Sequence, residues 1–246
     1  MTKFFTSNKA VINLHKKMSY KSEIISQLIY GESFSLIKRT NNWFRIKIKE
    51  DGYVGFIPKV DLKPFIKPTH KICKLNAKIY KFPNKKKRIK ELTFGSKIKV
   101  YEKSSKFAKI EKGWIEKKNI KPLNFRDKDI FEKVKYFKNV RYKWGGKTYK
   151  GIDCSALIQI LLNFNNRFCP RDTKDQVKYF KKNIKFENIK KNDLIYWKGH
   201  VAIVINKKKL VHAYGPKKKT LFMSILRTIE LIKETANLKV VGFRRI

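Results

Sequence analysis

Three residues in this chain have side chains suited to nucleophilic chemistry and lie within a spacing that can join them. Cys154 follows Asp153 directly, behind Gly145, Gly146 and Gly151 and ahead of Leu157, Ile158, Leu161 and Leu162, which recur at helical spacing. Asp153 is a good N-cap, so Cys154 is expected in the first turn of a helix. A helix start carries partial positive charge and unpaired N–H groups. Both favour a thiolate, which is the nucleophilic form of cysteine. The same N–H groups are candidate donors for an oxyanion. A thiolate needs a base, and the base needs an orienting group on its other ring nitrogen. Of four histidines in the chain, His200 opens one apolar run and His212 sits in the next, with a polar turn near Asn206 between them. Side chains alternate faces along a strand. The two imidazoles therefore share a face only if the turn holds an odd number of residues, pairing Ala202 with His212. His200 is then the candidate base for Cys154, and His212 the group that orients it.

The elements that must position these residues are read from texture. Residues 10–64 show short apolar runs at Ile24–Leu28, Phe34–Ile37, Trp43–Ile48 and Tyr53–Ile57, separated by Gly31, Asn41-Asn42 and Asp51-Gly52. Residues 72–123 repeat that layout. Leu28-Ile29-Tyr30-Gly31-Glu32 matches Leu92-Thr93-Phe94-Gly95-Ser96, Phe44-Arg45-Ile46 matches Ala108-Lys109-Ile110, Gly55-Phe56-Ile57 matches Gly113-Trp114-Ile115, and Leu62-Lys63-Pro64 matches Ile120-Lys121-Pro122. Two copies of one small barrel account for this. From Asn124 the pattern changes. A helix is expected over Asp127–Lys138, then the Gly-rich loop, the Cys154 helix, a break at Cys169–Thr173 and a short helix over Thr173–Phe180. Strands follow at Leu194–Trp197, His200–Ile205, Leu210–Ala213 and Val240–Phe243. Helices followed by strands give an α+β layout.

Composition sets outer limits. With 246 residues and 42% hydrophobic content, the chain can bury several cores. No apolar run approaches the roughly 20 residues of a membrane helix. The first residues lack a long apolar stretch and a cleavage site, so no signal peptide is read and a cytoplasmic location is expected. Cys73, Cys154 and Cys169 are odd in number and have no metal-type spacing, so neither a disulfide framework nor a metal site is expected. Net charge is +42, from 61 Lys and Arg against 19 Asp and Glu. The lysines are spread along the chain without a recognition helix, zinc finger or aromatic-basic RNA motif, so no specific nucleic-acid partner is expected. No cofactor is called for, and the oligomeric state is not readable.

The strings Tyr142-Lys143-Trp144-Gly145-Gly146, Gly151-Ile152-Asp153-Cys154-Ser155, Asn192–Trp197, Gly199–Ile203 and His212-Ala213 resemble the NlpC family of bacterial cell-wall cysteine peptidases. The turn-Gly, aromatic-strand and Gly-aromatic-Ile pattern of the N-terminal half resembles bacterial SH3-like barrels. This resemblance implies a papain-like catalytic domain over 124–246, preceded by barrels over 1–64 and 65–123. It implies cleavage of the γ-D-glutamyl–diamino acid bond of peptidoglycan stem peptides, with free muropeptides bearing N-terminal L-Ala as substrates of a recycling enzyme. It places the nucleophile on Cys154, the base on His200, the third polar residue on His212, and contacts to the substrate amine on Tyr142, Asp153 and Ser155. Tyr53 and Glu23 of the first barrel are further candidates for a pocket closed around that amine; barrels that merely tether the enzyme to its polymer are the alternative. Ala156 stands where the family has Gly, which is expected to narrow the groove. Asn192 replaces a turn Gly, and Asn tolerates the left-handed conformation. A non-catalytic wall-peptide or nucleic-acid binding module, and an amidase or acyltransferase on the same scaffold, remain as other readings.

Overall fold

The computed structural model describes residues 2–246, which form two compact units. Residues 2–126 and 145–149 make the first unit, and 127–144 with 150–246 the second.

The first unit holds two antiparallel β assemblies. Strands β1 (Phe4–Thr6), β2 (Val11–His15), β3 (Ile24–Ile29), β4 (Ser33–Arg39), β5 (Trp43–Ile48), β6 (Val54–Pro58) and β7 (Lys63–Pro64) form one sheet in the order β3-β2-β6-β5-β4-β1-β7. It closes on Phe5, Leu14, Leu28, Phe34, Phe44, Ile46, Ile48 and Ile57. Next come β8 (His70–Ile72), β9 (Asn76–Tyr80), β10 (Arg88–Thr93), β11 (Lys97–Ile98), β12 (Glu102–Lys103), β13 (Phe107–Ile110), β14 (Gly113–Glu116) and β15 (Ile120–Pro122). They form a five-stranded and a three-stranded sheet around Ile72, Ile79, Leu92, Ile98, Ile110 and Ile115. The internal repeat is visible in three dimensions. Leu28 and Leu92 are both fully buried, as are Ile57 and Ile115, and Gly31 (φ 80°) and Gly95 (φ 78°) make the same left-handed turn. Tyr30 joins the second core. Residues 145–149, with the two-residue strand β16 (Lys147–Thr148), also belong to this unit. There Lys147 and Glu32 form a buried ion pair at 2.7 Å.

The second unit is α+β. After the two-residue strand β17 (Gly151–Ile152) come α1 (Cys154–Phe164), α2 (Thr173–Tyr179), β18 (Lys182–Ile184), β19 (Leu194–Trp197), β20 (His200–Val204), β21 (Lys209–Tyr214), β22 (Lys219–Ser224), α3 (Ile225–Ala236) and β23 (Val240–Arg245). Strands β18 to β23 form one antiparallel sheet in the order β18-β23-β19-β20-β21-β22. Alternate residues Ile195, Trp197, Ala202, Val204, Leu210 and Tyr214 pack with Ile225 and Ile232 of α3. Helix α1 packs against β20 and β21.

Two expectations are corrected here. The helix expected over Asp127–Lys138 is only a 3₁₀ segment, Glu132–Phe137. Phe131, Val134, Phe137 and Val140 are all buried at a spacing of three, which matches the three residues per turn of a 3₁₀ helix better than the α period. Asn139, at φ 64°, stops it. Strand β22 and helix α3 were not anticipated, although Ile225, Thr228 and Ile232 lie on one buried stripe and Asn237 closes the helix in the left-handed conformation. Among the described residues no helix is long and apolar enough to cross a membrane.

Candidate active site

The site is built at the head of α1. Asp153 is extended (φ −97°, ψ 175°) and its Oδ1 accepts the Ala156 N–H at 2.8 Å, so it caps the helix and sets Cys154 as the first helical residue. Cys154 is 5% exposed, and its Sγ lies 3.9 Å from the Gly199 carbonyl, the residue before His200.

The hairpin β20–β21 pairs Ile203 with Val211 and Val204 with Leu210. The Ile205 N–H donates to the Lys209 carbonyl at 2.8 Å, leaving Asn206, Lys207 and Lys208 as a loop of odd length. Asn206 Oδ1 accepts from the Lys208 and Lys209 N–H groups and holds that loop. This register sets Ala202 opposite His212 and puts His200 on the same face. His200 Nε2 then lies 2.9 Å from His212 Nδ1. His212 has no exposed surface, stacks on Tyr214 (4.8 Å between centroids, 9° between planes), and has its Nε2 3.3 Å from Met223 Sδ.

The expected resting thiolate is not what this environment supports. Burial, with the Asp153 charge adding to it, pushes the Cys154 thiol up to about 11. The Val201 N–H, the Thr173 hydroxyl and the Ser155 N–H pull in the other direction, as donors to sulfur. Burial lowers His200 to about 4, and it lowers His212 as well, with the His200 charge adding to the effect. Desolvation works against the helix end here and disfavours the charged form of both the cysteine and the histidine.

Of the residues expected at the substrate amine, Asp153 and Ser155 are joined through a residue that had been read only as part of a chain break. Arg171 Nη2 meets Asp153 Oδ2 at 2.5 Å, its Nη1 meets Asp153 Oδ1 at 3.0 Å, and Nη1 also donates to Ser155 Oγ at 2.9 Å. Ser155 Oγ in turn donates to Asp153 Oδ1 at 3.1 Å. All three are nearly inaccessible, so the Asp153 charge is already balanced inside the protein. Tyr142 is half-buried beside Gly215; burial, then the Cys154 and Asp153 charges, raise its phenol. Gln176 donates to the Ser155 and Pro170 carbonyls at 2.9 Å. Arg171, Thr173, Gln176 and Met223 are the neighbours that sequence reading missed. Only the polar string Arg171-Asp172-Thr173 beside Cys169-Pro170 gave a local signal. Ala156 is fully buried, so its methyl does not line a groove. Asn192 takes the left-handed conformation (φ 73°) expected of it. Glu23 and Tyr53 lie in the first unit: Glu23 pairs with Lys16 at 3.0 Å, and Tyr53 packs on the first barrel core. Among the described residues, no group of three or more His, Cys, Asp or Glu is placed to hold a metal.

A cysteine heading a helix, packed on an antiparallel sheet that carries a hydrogen-bonded histidine pair, is the arrangement of a papain-like cysteine peptidase. Residues 139–235 match the NlpC/P60 family, and residues 14–62 match the bacterial dipeptidyl-peptidase SH3 domain. The second unit belongs to the NlpC/P60 family of cysteine peptidases, and an SH3-like domain precedes it in the chain. The chain is 24% identical to γ-D-glutamyl-L-lysine dipeptidyl-peptidase of Bacillus subtilis over 84% of this chain and 77% of that one. It is 22% identical to the protein of the same name from Bacillus cereus, over 78% and 68% of the two chains. A solved NlpC/P60 family protein from Bacillus cereus superposes with a TM-score of 0.84 over 99% of both chains at 17% identity.

Proposed function

We propose that this enzyme hydrolyses the γ-D-glutamyl–diamino acid bond of free peptidoglycan stem peptides that begin with L-Ala, in the cytoplasmic recycling of wall fragments. The observations that carry the reading are a capped Cys154 whose Sγ lies 3.9 Å from the carbonyl of Gly199, the residue before His200, and a register-fixed His200–His212 couple in the same unit, in a chain that also bears a dipeptidyl-peptidase type SH3 domain. The names of the Bacillus relatives support the same bond. In this reading Cys154 Sγ attacks the amide carbon as its proton passes to His200, and His200 returns that proton to the leaving amine. His212 holds the orientation of His200. The N–H groups at the head of α1 receive the oxyanion. Tyr142, half-buried beside this site, is the contact for the substrate ammonium, while the Asp153–Arg171 pair holds the start of α1.

The experiment is mass spectrometry of products from L-Ala-γ-D-Glu-diamino acid tripeptides, free and N-acetylated, with the full chain and with Cys154→Ala. Release of L-Ala-D-Glu from the free peptide, absent for Cys154→Ala and strongly reduced for the acetylated peptide, is the expected result. Equal cleavage of both peptides overturns the amine requirement, and activity in Cys154→Ala overturns the nucleophile.

A further inference from the structure

We propose that Met223 is a positioning residue: its thioether fixes the tautomer of His212, and thereby decides which ring nitrogen of His200 is left to take the thiol proton. The inference rests on the catalytic reading of Cys154 and His200 given above.

The register of β21 and β22 sets Leu210 opposite Met223 and His212 opposite Leu221, so Met223 and His212 are diagonal neighbours on one face. That register brings Met223 Sδ to 3.3 Å from His212 Nε2. A thioether sulfur carries lone pairs and no hydrogen, so it can only accept. If Nε2 presented its own lone pair, two lone pairs would face each other at that separation. The proton of His212 therefore sits on Nε2. The ring is fully buried and neutral, so it has one N–H, and Nδ1 is left as an acceptor. Nδ1 is 2.9 Å from His200 Nε2, which must then be the donor. A neutral His200 that donates from Nε2 keeps its lone pair on Nδ1. The stacked ring of Tyr214 resists rotation of the His212 plane and so preserves the order.

The sequence of donors runs in one direction: His200 Nε2–H to His212 Nδ1, and His212 Nε2–H to Met223 Sδ. When Cys154 reacts, the S–H bond breaks, the electron pair stays on sulfur, and a new N–H bond forms at His200 Nδ1. The positive charge of the imidazolium is met through Nε2–H by the His212 lone pair, and no proton leaves His212. With the opposite tautomer of His212, His200 would accept at Nε2 and carry hydrogen at Nδ1. It could not then take the thiol proton.

The test is long-range ¹H–¹⁵N correlation on the full chain labelled with ¹⁵N-histidine, without substrate, together with steady-state kinetics on the free tripeptide. Wild type should show both His200 and His212 protonated at Nε2. Met223→Leu, close in volume but unable to accept, should move His212 towards the Nδ1–H form and His200 with it. Its kcat should fall about 10-fold or more, out of the roughly 10²–10⁴-fold that a positioned general base contributes, with little change in KM. Met223→Gln, whose amide oxygen accepts, should restore the tautomers and much of kcat. An Nδ1–H His212 in wild type, or unchanged tautomers in Met223→Leu, overturns the proposal. The spectra come from the resting protein, so a chain that cleaves no stem peptide would refute the function and still report the tautomers.

Discussion

Both carboxylate oxygens of Asp153 are held by the single guanidinium of Arg171, in a pair that is almost entirely inaccessible. Asp153 is also the cap of α1, so this pair anchors the start of the helix that carries Cys154. Removing one partner of a buried pair leaves a charge without compensation, which costs about 3–5 kcal/mol. Arg171→Ala should lower the urea midpoint by a corresponding amount. Arg171→Lys, which keeps the charge and loses the fork, should cost less. Equal midpoints for wild type and Arg171→Ala would show that the pair contributes nothing net.

Stability should fall on mild acidification. His200 is held at about 4 against an ordinary 6.5, so between those values the unfolded chain binds a proton that the folded chain refuses. The folded state is therefore fully stable above about pH 6.5 and weakens as the pH drops towards about 4. At about 1.4 kcal/mol per pH unit, His200 accounts for about 3 kcal/mol, and His212 acts in the same direction. Urea titrations across this range should show the loss, and His200→Asn should reduce it.

The same burial bears on alkylation. Burial pushes the Cys154 thiol up to about 11 from its ordinary 9, so iodoacetamide should label the resting enzyme slowly near neutral pH and faster as the pH climbs. Peptide mapping of the adduct reads this directly. Rapid labelling of Cys154 near pH 6 would mean that a thiolate–imidazolium pair exists at rest.

Gly31 turns at φ 80°, and a Cβ built there would lie 1.9 Å from the Lys97 carbonyl oxygen. Gly31→Ala must move backbone, not merely a flexible side chain. Adding that clash to the left-handed penalty of about 1–2 kcal/mol, the variant should lose more than about 2 kcal/mol and melt earlier by calorimetry. Gly52→Ala, at φ 72° with only the Lys47 side chain nearby at 3.6 Å, should lose much less.

Much of the site could be read from the chain because its parts obey local rules. Asp153 before Cys154 is a cap, and the spacing of His200 and His212 around a turn admits one useful parity. The two β assemblies of the first unit were legible through a repeat, in which Gly31 and Gly95 punctuate equivalent turns. What escaped reading depends on contacts between distant segments. Arg171 reaches back eighteen positions to Asp153, and Met223 reaches His212 only through the pairing of β21 with β22. The protonation states of Cys154 and His200 escaped for a related reason. The helix end is a local feature and visible in the sequence, whereas the desolvation that overrides it is set by everything packed around the pair. The expected helix over Asp127–Lys138 shows a different limit, since a stripe spaced by three reads as either kind of helix until the backbone chooses.

Residues 145–149 belong with the barrels, while the stretches on both sides of them belong to the peptidase unit. Lys147 donates to Glu32 there, and its N–H is bonded to Gln27 at 2.8 Å. The chain is therefore interleaved rather than modular. No single cut of the backbone can release the barrel half whole, because any fragment beginning near residue 124 carries away Lys147, whose counter-ion Glu32 stays behind. Exchange of barrels between relatives would have to bring along a matching five-residue insert far downstream, so these two parts are bound to vary together.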